Sequence, residues 1–154
     1  MSLTTGQIPR VANVPITGRV AIVNATGVVT LGSDTNGQTL LTGDATYGGQ
    51  AQVLIISTDD SAIAPLVHFY IKNGSDITPI GTVNVPVSSG NTLAAKLMVN
   101  ALDGANILGL RRDNNNNIYI PLGPGDILKC GVLSSAPTSG KTVWIKAYGA
   151  NFQA

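Results

Sequence analysis

The residues of this sequence that are best suited to chemistry are few and widely separated. His68 is the sole histidine, Cys130 is the sole cysteine, and all eight acidic residues are aspartates. A zinc site or a histidine-based catalytic triad needs several such groups together, which these two residues do not supply. The sequence therefore predicts a protein without a catalytic site, a metal site or a cofactor.

The immediate neighbours of these two residues indicate structural roles. His68 lies between Val67 and Phe69, which predicts a position on the outward or interfacial face of a strand. Cys130 lies in the apolar run ILKCGV at 127–132, where a cysteine usually behaves as a small buried hydrophobic residue.

Two short segments are similar to binding motifs but lack essential residues. Gly140 begins a GKT triplet, yet a phosphate-binding loop needs glycine where Ser135 stands. The segment 113–117 (DNNNN) places oxygen ligands like the start of a calcium loop, without the glycine and the distal glutamate. We expect this segment to be a tight turn, and we expect Asp59 and Asp60 to cap another turn.

Aromatic side chains could stack against sugars, as they do in many β-sandwich binding modules. Several of them occupy strands whose alternation points toward a core, which leaves sugar binding as an alternative only. They are Tyr47, Phe69, Tyr70, Tyr119, Trp144, Tyr148 and Phe152.

The elements that must position these residues are strands. Apolar residues alternate with polar or aromatic ones at 118–122 and 143–148, and Asn-Gly pairs at 36–37 and 73–74 predict turns. Further strands are expected at 19–25, 28–31, 39–42, 51–57, 66–72, 78–87 and 127–132. The unbroken run VLII at 53–56 predicts a strand buried on both faces or at a sheet centre, and 92–102 fits either a helix or a strand.

Composition supports this interpretation and excludes several classes of protein. The chain has 154 residues, 11% of them charged, with 18 glycines and no glutamate, which disfavours helix and fits one domain. The net charge of +1 comes from scattered cations, so nucleic acid is not an expected partner. There is no apolar run long enough for a membrane span and no signal sequence, so we expect a soluble product made in a cytoplasm. The predicted fold is all-β, a single jelly-roll-like β-sandwich.

Residues 1–18 are expected to form an extended N-terminal arm outside a sandwich domain at 19–154. Pro9 and Pro15 favour an extended path, and apolar side chains are spaced there without a helical or strand period. We expect this arm to lie on a neighbouring molecule or on its own domain, or else to be a frayed terminus. The predicted partner-binding residues are Ile8, Val11, Val14 and Ile16.

A family resemblance extends over residues 21–152 and is carried by an ordered set of segments. They are AIVNAT at 21–26, LLTG at 40–43, IISTD at 55–59, VHFYIKNG at 67–74, IPLGPGDILK at 120–129 and AYGANF at 147–152. In this order they resemble small virion proteins of tailed bacteriophages, of the capsid decoration or cement type.

The resemblance implies a small, β-rich and often trimeric protein that clamps neighbouring capsid subunits from outside. The implied partner is the major capsid protein, and the implied location is the outer capsid surface of the virion. The family has no catalytic motif to transfer to this chain. The alternative is a receptor- or glycan-binding module of a head fibre or tail, which would need an exposed aromatic platform.

Overall fold

The computed structural model describes residues 11–90, 98–102, 107–133 and 135–153. The protein is all-β, with 57% of the chain in strands, and the described part contains no α-helix. The strands are β1 Val11–Ile22, β2 Val28–Val29, β3 Gln38–Thr42, β4 Gly49–Thr58, β5 Leu66–Asn73, β6 Asp76–Asn84, β7 Val99–Asn100, β8 Arg111–Arg112, β9 Ile118–Leu122, β10 Ile127–Leu133 and β11 Val143–Gln153.

The strands form two sheets in a sandwich-like arrangement. The first sheet has the order β1-β11-β4-β9-β8, with β7 also pairing with β4. The second has the order β2-β10-β5-β6, with β3 also pairing with β10. All pairs are antiparallel except β2 with β10.

The core lies where the inward faces of the two sheets meet. In β11, Val143 and Ile145 are at most 1% exposed, whereas Trp144 on the opposite face is 41% exposed. The second sheet contributes Val67, Phe69 and Leu128 to the same cluster, each fully buried. Burial of these aliphatic and aromatic side chains is the main source of stability, because the single cysteine allows no internal disulfide. The predicted alternation in β11 is confirmed.

Strand β4 is central in the first sheet, as predicted, but it is not buried on both faces. Leu54 and Ile56 are fully buried in the core, while Val53 on the opposite face is 37% exposed and Ile55 is half-buried. The run VLII therefore supplies apolar residues both to the core and to the outer face of the first sheet. An apolar run without alternation cannot distinguish these two situations.

Residues 11–18 of the predicted N-terminal arm belong to a sheet strand that continues to Ile22, so the expected boundary between residues 18 and 19 falls inside β1. Strand β1 pairs with β11 from Val11 opposite Gln153 to Ile22 opposite Val143. Pro15 is tolerated because β1 is an edge strand, where a missing N–H need not remove a ladder hydrogen bond. Residues 1–10 lie outside the described part of the chain.

The turns agree with the predictions from Asn and Gly. The 73–74 pair closes the β5–β6 hairpin, in which Asn73 pairs with Asp76. Asn36 and Asn116 adopt positive φ values of 64° and 65°, a conformation that asparagine tolerates better than most residues. In the ambiguous segment, residues 92–97 lie outside the described residues, and Val99–Asn100 form the short strand β7.

The segment between β1 and β3 covers part of the outer face of the second sheet. A Cβ on Gly131 would lie 2.3 Å from a methyl carbon of Val29, and a Cβ on Gly37 would lie 1.5 Å from the Tyr70 hydroxyl. Only glycine permits such close approach of backbone to side chain. Consequently Tyr70 is 1% exposed although it points away from the core between the sheets.

Candidate functional site

The strongest charge cluster of the described residues is centred on Asp34, in the loop between β2 and β3. Its carboxylate pairs with Lys72 of β5 at 2.6 Å and with Lys129 of β10. The Tyr70 hydroxyl donates a third contact of 2.8 Å to Oδ1. The Asp34 side chain is 22% exposed and that of Lys129 is 11% exposed, so the cluster is mostly shielded from water.

These contacts shift the ionisation of the groups involved. Burial alone would raise the pKa of Asp34, but the hydrogen bonds from Lys129, Lys72 and Tyr70 outweigh it and hold that pKa well below its ordinary value. Burial, together with the Asp34 carboxylate, raises the pKa of Tyr70. The cluster thus holds a stable carboxylate that ties a loop to two strands.

His68 lies beside this cluster, on the outward face of β5 as predicted, yet it is only 2% exposed. Its ring stacks on Tyr70 with centroids 5.7 Å apart, and Nδ1 lies 3.1 Å from the carbonyl oxygen of Gly81. Its Nε2 is buried without a polar partner among the described residues. Burial lowers the pKa of His68, with the Gly81 contact opposing the shift, so the neutral imidazole is favoured.

The carboxylate oxygens of the turn aspartates accept hydrogen bonds from backbone N–H groups. Asp60 is 1% exposed and accepts hydrogen bonds from the backbone N–H groups of Ala62, Ile63 and Thr138. Burial acts to raise the pKa of Asp60, but these bonds dominate and lower it to about 2. The predicted turn-capping role is therefore confirmed for Asp60. The neighbouring Asp59 instead accepts a 2.6 Å bond from the N–H of Thr142, which lies 83 residues later in the chain.

The asparagine-rich segment is a turn closed by Asp113. Its Oδ1 accepts hydrogen bonds from the N–H groups of Asn115 and Asn117, and its Oδ2 accepts one from the Asn117 side chain. The predicted tight turn is confirmed. No cluster of three or more metal-ligating side chains occurs in the residues that the structure describes.

Cys130 is fully buried in the core cluster, as predicted. Burial raises the pKa of its thiol, with Lys129 opposing the shift, which disfavours the reactive thiolate.

The outer face of the first sheet has a different character from these internal contacts. Arg19 of β1 and Lys146 of β11 lie directly opposite each other in the ladder. Neither has a carboxylate within ion-pair distance among the described residues, and Lys146 instead lies 5.0 Å from the ring centroid of Tyr148. Like charges on opposed strand positions repel, so this pair is unfavourable in the isolated chain.

Together with Trp144, the two cations border a shallow groove of about 400 Å³, here called the cationic groove. It is lined by Arg19, Val20, Ala21, Trp144, Ile145 and Lys146. An apolar surface adjoins it across β4 and β7, where Val53 is 37% exposed and Met98 is 57% exposed. This outer face combines an exposed indole, two cations that have no carboxylate partner among the described residues, and aliphatic side chains.

A second, larger cavity of about 560 Å³ opens where Ile71 and Ile80 of the second sheet approach Ile120 of the first. Its wall includes Leu108, which is 75% exposed, and Arg111. Most of its lining side chains are aliphatic, and Arg111 is the one titratable residue among them.

The predicted partner-binding residues fall only partly within the described chain. Ile8 lies outside the described residues, and of Val11 only the backbone is described, in β1. Val14 is half-buried, and Ile16 is half-buried and packs against the core of its own domain. The partner-binding role of these residues stays a prediction.

The cationic groove was not predicted from the sequence. The alternation in 143–148 already placed Trp144 and Lys146 on one face, but nothing in the sequence paired that face with Arg19. The pairing depends on the register between β1 and β11, which joins the two ends of the chain.

The chain matches no protein-family model, no curated protein sequence and no solved structure. In the described part of the chain, no helix has the length and apolar character required to cross a membrane.

Proposed function

We propose that this protein is a non-enzymatic structural component of a tailed-phage particle that decorates the capsid and bridges neighbouring major capsid subunits. The observation that carries this proposal is the exposed outer face of the first sheet, where Trp144, Val53 and Met98 are all more than a third exposed. Contiguous exposed apolar surface on a small domain is typical of sites that bind other proteins. The ordered sequence segments resemble those of phage decoration proteins, and this resemblance indicates the major capsid protein as the partner.

The use of the titratable groups supports a structural role. Of the seven described aspartates, only Asp76 lacks a hydrogen bond through its side chain, and the others hold loops, turns or lysines: Asp34, Asp44, Asp59, Asp60, Asp113 and Asp126. Carboxylates engaged in this way stabilise the scaffold.

The pairing of strands supports assigning the fold to the jelly rolls. If the short strands β2, β7 and β8 are set aside, the other eight form nested antiparallel pairs: β1 with β11, β3 with β10, β4 with β9 and β5 with β6. Nested pairing of this kind arises when one long hairpin folds over on itself into two sheets. Jelly rolls occur in viral capsid proteins and also in lectins, so the fold is compatible with both candidate functions.

The test uses phage capsids that lack this protein, here called heads. Purified protein is added to such heads, and occupancy is measured by cosedimentation and by electron microscopy of the particles. We expect stoichiometric binding to the outer surface and a higher melting temperature of decorated heads. Absence of binding to heads, with the protein folded, would contradict the proposal.

Two further parts of the proposal have their own measurements. We propose a homotrimer, in line with the resemblance, and native mass spectrometry of the purified protein checks the number of chains. Deletion of residues 1–10 leaves β1 intact and tests the predicted contact through Ile8. Full occupancy of heads by the shortened protein would remove that contact from the proposal.

The second candidate is a receptor- or glycan-binding module of a head fibre or tail. It is favoured by the exposed indole of Trp144, because aromatic faces stack on sugar rings and this one lies beside polar and cationic groups. Specific binding to host-surface oligosaccharides that is lost in Trp144→Ala, together with no binding to heads, would favour this candidate.

A further inference from the structure

We propose that the cationic groove binds an acidic residue of the partner protein, carried on a segment whose apolar side chains cover the adjoining face of β4 and β7. This inference rests on the proposed function, because it names the surface and the chemistry through which the shell is bound. It starts from the register of two strands at the edge of the first sheet.

The cross-strand pair of Arg19 and Lys146 is electrostatically unfavourable in the isolated protein. Directly opposed positions of an antiparallel pair place Cβ atoms about 5 Å apart, and side chains of like charge at such positions are destabilising. The lysines of the Asp34 cluster show the usual solution, since there two cations share one carboxylate. On the outer face the two cations are present and the carboxylate is missing from the described residues.

An acidic group from outside would complete the same arrangement. A carboxylate seated between Arg19 and Lys146 would relieve the repulsion and form two charge-assisted contacts, beside the indole of Trp144. Arginine and tryptophan are also the residue types that contribute most to protein interfaces. Relief of the repulsion between Arg19 and Lys146 would therefore add to the free energy of binding in the complex.

The neighbouring surface indicates that the acid belongs to a protein. Val53, Ile55 and Met98 form an aliphatic surface beside the groove, and covering it requires apolar side chains. Sugars need hydrogen-bonding groups around an aromatic platform, whereas aliphatic residues with methionine and aromatics are typical of interface cores. Nucleic acid is disfavoured, because two cations neutralise too few phosphates.

Two other occupants of the groove are disfavoured by charge. A second copy docked face to face would bring two more cations onto the first two, because an isologous contact sets each patch against itself. The first ten residues of the chain contain Arg10 and no acidic residue, so they cannot supply the carboxylate.

Charge reversal at the pair gives the direct test, with heads lacking the protein as the probe. We expect Arg19→Glu with Lys146→Glu to weaken binding to heads at least about tenfold. The matched control is Arg111→Glu with Lys141→Glu, which changes the net charge equally at two side chains without a polar partner in the described structure, and it should bind like the wild type. Binding of the wild type should also weaken as salt is raised.

The single variant Lys146→Glu separates folding from binding. It places opposite charges at the two opposed positions, so we expect the melting temperature of the free protein to rise at low salt while binding to heads falls. A melting temperature that is unchanged or lower would show that Arg19 and Lys146 do not destabilise the free protein, which would contradict the inference.

The outcomes distinguish the inference from the proposed function. If the wild type binds heads and the double reversal binds equally well, the inference is wrong and the decorating function stands. If the wild type does not bind heads, the function fails and the inference fails with it. An acidic oligosaccharide, bound by the wild type on a glycan array and lost in the double reversal, would overturn the assignment to a protein partner.

Discussion

The hydroxyl of Tyr70 donates a 2.8 Å hydrogen bond to Oδ1 of Asp34, a residue 36 positions earlier in the chain. The same carboxylate pairs with Lys72 and Lys129. One loop residue thus holds the segment between β1 and β3 against the second sheet, where it buries Tyr70. Because these groups are shielded from water, removing one of them leaves the others desolvated and unpaired, which is the costly case for buried charges.

We expect Asp34→Ala to lower the free energy of unfolding by about 2 kcal/mol or more, because two lysines and a tyrosine lose their common partner. Urea denaturation followed by circular dichroism measures this change. Asp76→Ala is the matched control, since its exposed side chain makes no polar contact in the described structure. Equal stability of the two variants would show that the cluster does not hold the loop.

A methyl group at Gly131 should lift the covering segment from the second sheet. The Gly131→Ala side chain would lie 2.3 Å from a methyl carbon of Val29, which real contacts do not allow, so we expect a loss of about 1 to 3 kcal/mol. Val29→Ala removes those methyl groups. The double variant should therefore lose at least about 0.5 kcal/mol less than the sum of the single losses in denaturation experiments. Strict additivity would contradict this contact.

The stability of the protein should decrease as the pH falls below the ordinary pKa of histidine. Burial lowers the pKa of His68 from 6.5, so the unfolded chain binds the proton more readily than the folded one. This contribution is fully present above about pH 6.5 and is lost as the pH falls toward the folded pKa, with a slope of up to about 1.4 kcal/mol per pH unit.

Urea denaturation between about pH 7 and pH 5 checks this dependence, and the NMR titration of the single imidazole gives its pKa directly. In His68→Gln the slope in this window should disappear. A wild-type curve without a slope there, or an NMR pKa at or above 6.5, would contradict the prediction.

A separate loss of stability is expected at lower pH, from the protonation of the buried Asp60. The folded-state pKa of Asp60 is lowered to about 2 from 3.8, so its contribution is present above about pH 3.8 and is lost as the pH falls toward 2. Asp60→Asn should flatten that acid limb and lower the stability at neutral pH, because its amide cannot accept all of the bonds from the turn and from Thr138. An acid limb identical to that of the wild type would contradict this role.

The sequence by itself determined the local structure and the class of fold. Alternation at 118–122 and 143–148 gave strands with the correct inward faces, and Asn-Gly pairs marked turns that the structure contains. The burial of Cys130 and the turn-capping role of Asp60 were predicted correctly as well. These features depend on side-chain period and on backbone preference, which act over a few residues.

Only the tertiary structure decided which distant segments meet. Residues 11–18 looked like an arm because prolines interrupt any period, yet pairing with β11 makes them a strand at the sheet edge. His68 was placed on the correct face, but its burial depends on the segment that crosses that face. The register of β5 and β10 brings Lys72 and Lys129 within reach of the Asp34 loop, and the register of β1 and β11 sets Arg19 opposite Lys146. Such registers result from the packing of the whole sandwich, which no local pattern contains.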